Sequence, residues 1–69
     1  MLNVDKTTFE RVIAQFDCAC EYEKDTEYGY DTYTHDGVMV GLISYHSFRG
    51  DTYALYGPAA DAARKMMVA

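Results

Sequence analysis

Phe9, Val12, Ile13 and Phe16 recur at i, i+3, i+4 and i+7, which places four apolar side chains on one stripe of a helix and turns Glu10, Arg11 and Gln15 to water. Two overlapping starts are available to that helix. Asp5 can cap it with Val4 stapled onto Phe9, or Thr7 can cap it with Glu10 completing a capping box. The period fails by Asp17, where the helix is expected to stop. Cys18 to Glu23 mixes small, polar and aromatic residues and reads as a short strand or an extended arm.

The pattern then changes to strands. Glu27 to Thr34, E-Y-G-Y-D-T-Y-T, is rich in the Tyr and Thr that suit a half-buried pleated surface. The following run to Ser47 has Val38, Val40 and Leu42 on one side of an extended chain and Met39, Ile43 and Tyr45 on the other, as a central strand requires. Between these runs, Asp36-Gly37 predicts a two-residue hairpin turn, which needs positive φ at both positions. That turn sets His35 opposite Val38, Tyr33 opposite Val40, Asp31 opposite Leu42, Tyr30 opposite Ile43, Tyr28 opposite Tyr45 and Glu27 opposite His46. Lys24-Asp25-Thr26 can turn the chain so that Ala19 to Glu23 pairs as an additional edge strand. Phe48 to Asp51 is a second turn, and Thr52 to Tyr56 alternates as the next strand.

Gly57-Pro58 ends the sheet and opens a second helix, with Pro at a favourable first position. Its stripe of Ala59, Ala62, Ala63 and Met66 is narrow, Asp61 and Lys65 are spaced to pair, and Arg64 and Lys65 complement the C-terminal end of the dipole. Small side chains bury little area, so this helix should lie tightly beside the first or form an oligomer contact. The expected fold is α+β, a three- to four-stranded antiparallel meander flanked by an N-terminal and a C-terminal helix, as one domain over residues 1–69. Which sheet face is core depends on the second turn. A two-residue Arg49-Gly50 turn puts Leu55 with Val38, Val40 and Leu42 and leaves Tyr28, Tyr30, Tyr45 and Tyr56 open, whereas a three-residue turn reverses Leu55.

Charge narrows the partners. Eleven acids against six bases give a net charge of −5, which disfavours direct contact with nucleic acid or an anionic membrane and favours a basic protein surface. No stretch approaches the ~20 apolar residues of a spanning helix, and the polar N-terminal start lacks the pattern of a secretory signal. The expected location is the cytoplasm. Cys18 and Cys20, one residue apart, are expected to be reduced thiols, since a bridge between them would be strained.

Candidate chemistry is sparse. Cys18, Cys20, His35 and His46 are of metal-ligand type but lack the paired spacings of structural zinc sites, and the hairpin separates the two histidines by about 26 Å along the strand. No metal or cofactor is expected. Glu27 beside His46 reads as a cross-strand ion pair, and a meander of this size offers little concave volume, so no catalytic site is expected. Arg49-Gly50-Asp51 spells an adhesion tripeptide, but a glycine in a turn accounts for it. The acidic segment is more informative. Seven of the eleven acids lie between Asp17 and Asp36, against Lys24 alone, and Glu21, Glu23, Asp25, Glu27 and Asp31 all occupy odd positions. In an extended chain they would form a row at steps of roughly 6.6 Å, comparable to the spacing of phosphates along a strand. Interleaved with Tyr22, Tyr28, Tyr30 and Tyr33, such a row suits a groove whose Arg and Lys take phosphates. The competing reading is that charge merely protects an edge strand and keeps the chain soluble.

The segment Glu21 to Asp36, E-Y-E-K-D-T-E-Y-G-Y-D-T-Y-T-H-D, in a small acidic α/β chain without a catalytic constellation, resembles in style the small phage-encoded inhibitors of bacterial defence, including anti-CRISPR proteins. The resemblance covers no alignable motif. It implies a protein that blocks a basic nucleic-acid-handling partner such as a CRISPR effector complex, by surface contact or nucleic-acid mimicry, in a host cytoplasm. The alternative expectation is a structural or regulatory homo-oligomer, such as a homodimer, joined through the open sheet face or the Ala-rich helix.

Overall fold

Asp5 is the residue that starts the first helix. Its Oδ1 accepts the Thr8 N–H at 2.8 Å, and that contact holds its carboxyl below the usual range. In the computed structural model, which describes residues 1–68, this cap follows a short strand, β1 (Leu2–Val4), and precedes α1 (Lys6–Ile13). The order continues β2 (Ala19–Lys24), β3 (Tyr28–His35), β4 (Val38–His46), β5 (Thr52–Leu55) and α2 (Gly57–Val68). Every pairing is antiparallel, and the sheet order is β1-β5-β4-β3-β2. The meander and both helices stand as read from the sequence, and Ala19 does begin an edge strand. The sheet has five strands because Leu2–Val4 pairs with β5, a strand too short to show a period. The first helix is also shorter than its stripe suggested. It ends at Ile13, and Phe16 lies in a following turn closed by bonds from Gln15 and Phe16 N–H to Val12 and Ile13 carbonyls.

The hairpin turn is where the dipeptide predicts it, with φ of 51° at Asp36 and 79° at Gly37, and His35 faces Val38. Beyond Thr34 the predicted register fails. Thr34 pairs with Met39 but Tyr33 pairs with Gly41, so Val40 is an extra residue in a β-bulge. Every later pair shifts by one. Asp31 faces Ile43, Tyr30 faces Ser44, Gly29 faces Tyr45, and Tyr28 rather than Glu27 faces His46.

The bulge also decides the core. Because Val40 is inserted, Val40, Gly41 and Ile43 are all turned toward the helices, and Leu42 passes to the opposite face. Leu55 faces Gly41 and joins the same core with Phe9, Val12, Ala59, Ala60 and Ala63. The side chains of Phe9, Val12, Val40 and Leu55 are sealed from water, each worth roughly 1.5–3 kcal/mol of burial. Gly41 has a steric role here. A Cβ at that position would stand 2.8 Å from Ile13 Cδ1 and 3.0 Å from Phe9 Cζ, so its absence lets α1 settle onto the sheet. Alanines do the same for α2, which lies against α1, β4 and β5. Rather than flanking the sheet, the two helices share one face. Asp61 bonds Arg64 at 3.2 Å, not Lys65 as its spacing suggested.

Candidate partner-binding surface

The helices pack on β4 and β5, and the sheet continues past them into β3 and β2. All six residues of β2 are exposed. Its pairing sets Glu21 opposite Thr32 and Glu23 opposite Tyr30, on the face away from the helices, while Cys20 and Tyr22 oppose Tyr33 and Asp31 on the helix side.

This pairing divides the predicted acidic row. Facing positions in the β2–β3 hairpin sum to an odd number, so odd residues of one strand share a face with even residues of the other. Glu21 and Glu23 therefore stand beside Tyr28, Tyr30 and Thr32, and Asp31 is on the reverse face. There Asp31 Oδ2 accepts the Tyr45 O–H at 2.5 Å, which raises the phenol well above its ordinary range. Asp25 and Glu27 belong to the hairpin tip. Asp25 Oδ1 accepts Thr26 N–H at 2.7 Å and Thr26 O–H at 3.1 Å, and Asp25 N–H bonds the Tyr28 carbonyl at 2.7 Å, so this carboxylate shapes the turn. Glu27 is exposed beside it. The structure thus brings Glu21, Glu23, Tyr28 and Tyr30 together, sets Asp25 and Glu27 at the end of the same arm, and separates Asp31.

Two further residues extend the surface. Tyr28 stacks with Tyr30 at 6.1 Å between ring centroids and packs on His46 at 4.6 Å, and His46 in turn lies 5.9 Å from Phe48. Phe48 is 89% exposed, at the end of this ribbon of four rings. His46 Nδ1 accepts N–H bonds from Phe48 at 3.1 Å and Arg49 at 3.0 Å, so the ring also organises the loop. Gly50, with φ of 79°, closes that loop through its N–H to the His46 carbonyl. The signal for His46 was in the sequence but hidden by the bulge, whose one-residue shift replaces the Glu27 pairing with a Tyr28 stack.

On the helix side, Tyr22 covers Gly29, where a Cβ would stand 2.7 Å from the Tyr22 hydroxyl. Tyr33 is pushed up to about 12 by burial and by its contact with Cys20. Cys18 is raised by burial, then by the Asp17 charge and by Cys20, the reverse of what activates a thiol. Among the described residues, no three His, Cys, Asp or Glu side chains are arranged to hold a metal ion, and no helix is long and apolar enough to cross a membrane. An open depression lies beside the hairpin tip among Tyr22, Asp25, Glu27, Tyr45, His46 and Asp51. Comparisons with protein-family models, curated proteins and solved structures returned no match.

Proposed function

We propose that this chain is a small acidic binding protein that docks on the basic surface of a nucleic-acid-handling protein or complex and obstructs it, a CRISPR effector complex being one partner of that description. The observation that carries this reading is the composition of the arm. Glu21 and Glu23 stand on one exposed face with the Tyr28–Tyr30–His46–Phe48 ribbon, and Glu27 extends the charge to the tip. Carboxylates supply long-range attraction to cations, and rigid aromatic rings supply contact area at low entropic cost. Direct nucleic-acid binding runs against the net charge of −5. The contacts assigned in this reading are Glu21, Glu23, Glu27, Tyr28, Tyr30, His46 and Phe48. Asp25 is left to the turn and Asp31 to Tyr45.

The test is affinity capture from the source cell with the parent chain and with the Glu21→Lys, Glu23→Lys, Glu27→Lys triple variant, which spares the turn carboxylate. Basic nucleic-acid-binding proteins should be enriched on the parent alone. Their retention should fall as ionic strength rises from about 0.05 to 0.5 M, because screening shortens the reach of exposed charge. Equal recovery on parent and variant would remove this reading.

A further inference from the structure

We infer that the outer edge of β2 takes an extended segment of a partner protein as a sixth strand, with Lys or Arg at alternate positions of that segment. This deepens the proposed function and rests on it for the basic character of the partner. The geometry begins with the edge itself. β2 closes one side of the sheet, and among the described residues no strand, helix or side chain bonds its outward backbone groups. Asp25 N–H bonds the Tyr28 carbonyl within the hairpin, and alternation of an antiparallel ladder then turns the N–H and C=O groups of Cys20, Tyr22 and Lys24 outward. A six-residue strand presents about 20 Å of such edge. Strand addition satisfies those groups and reads the incoming side chains at every second position.

Charge selects the occupant. A second copy paired antiparallel about a two-fold axis keeps the same faces aligned, so facing residues have the same parity. Glu21 and Glu23 of one copy would then crowd those of the other, and like charges on facing strands repel. An incoming strand with cations opposite Glu21 and Glu23 reverses that sign. Its intervening residues would lie on the side of Cys20 and Tyr22, where β-branched or aromatic groups fit against the Tyr22 ring. Charge on an edge strand commonly prevents such pairing. Here it acts as a filter, repelling the chain's own copies and acidic strands while admitting basic ones.

The probe is a synthetic peptide of alternating lysine and valine, titrated into the full chain, with an otherwise identical peptide N-methylated at its valines, the residues that face Cys20 and Tyr22, so that charge is kept and the row of donors toward β2 is lost. On binding, the Cys20 and Tyr22 amides should become protected from hydrogen exchange. Glu21 and Glu23, already bonded to β3, should change little. The N-methylated peptide should bind at least tenfold more weakly, and Glu21→Gln with Glu23→Gln should weaken the unmodified peptide severalfold. Equal binding of the two peptides would overturn strand addition while leaving the acidic-surface reading standing, and so would binding without protection at Cys20 and Tyr22. No binding at millimolar peptide would also overturn it. Undiminished binding to the double glutamine variant would overturn the basic character of the occupant, and with it the support for the proposed function. Concentration-dependent protection of the Cys20 and Tyr22 amides without peptide would assign the edge to a second copy instead.

Discussion

The two halves of the sheet are built from similar strand residues to opposite ends. Beneath the helices, β5 and β4 contribute Leu55, Val40 and Ile43 to a sealed core, with Gly41 and the alanines of α2 letting the helices approach. Past the helices, β3 and β2 are held by the ladder, by Tyr22 over Gly29 and by Tyr45 with Asp31, while the faces of β2 remain in water. Buried contacts are concentrated in one half, and the exposed carboxylates and stacked rings of the proposed recognition surface in the other. Substitutions should therefore sort by half.

The largest effect is expected in the core. Phe9→Ala removes a ring that packs edge-on against Tyr33 at 5.4 Å and lies 5.6 Å from Tyr53, and should cost about 3–5 kcal/mol. Native domains have only about 5–15 kcal/mol in total, and one this small belongs near the low end, so the variant should be largely unfolded by circular dichroism at 37 °C. Retention of a cooperative transition within 1 kcal/mol of the parent would break the assignment of stability to this half.

Next comes Gly41→Val. The new side chain meets Ile13 and Phe9 and should cost about 1–3 kcal/mol by overpacking. Combining Gly41→Ala with Ile13→Val relieves the contact at 2.8 Å, so urea denaturation should show the double variant losing less than the sum of the singles. Strict additivity would mean that the glycine is not there to admit α1.

Most of the element order was legible in the sequence, because capping, helical period and the Asp36-Gly37 turn are local signals. The register was not. A bulge at Val40 has no local signature apart from the glycine after it, and it forms because Val40, Gly41 and Leu55 must all meet the helices. That single insertion exchanges Leu42 for Ile43 on the core side and Glu27 for Tyr28 beside His46. The acidic row failed for a related reason. Shared odd numbering defines a face only within one strand, and the turn at Asp25 reverses the parity between Glu23 and Asp31. Glu21, Glu23, Tyr28 and Tyr30 survive as one surface because two lie on each side of that turn with the matching parity.

A smaller effect is expected where the halves meet. The Tyr45 phenol is raised chiefly by its bond to Asp31 and Tyr33 chiefly by burial, both from an ordinary value of 10.0. Such groups hold their protons more tightly when folded, so the unfolded chain releases them first. Their contribution is fully present below pH 10 and declines as pH rises through the folded-state values, about 12 for Tyr33. Tyr45→Phe should cost about 1–2 kcal/mol at neutral pH and flatten the alkaline decline in urea stability. An unchanged alkaline slope would show that the Tyr45–Asp31 bond does not tie the arm to the core.

The smallest effect, and the one of opposite sign, belongs to β2. Glu21 and Glu23 lie on one exposed face two residues apart, in a chain of net charge −5, with no cation opposite them on β3. Their mutual repulsion is a standing cost that solvent and salt reduce but do not abolish. Replacing both with glutamine keeps their shape and removes that repulsion, so stability should rise by no more than about 0.5 kcal/mol at low salt. The gain should shrink as salt is added, whereas the same variant should lose much of its affinity for a basic strand. Thermal denaturation at two ionic strengths measures the first effect and peptide titration the second. A loss of stability above 1 kcal/mol would place these carboxylates among the groups that hold the fold and dissolve the contrast between the halves. A small, salt-sensitive gain coupled to weakened binding is what a strand kept charged for recognition requires.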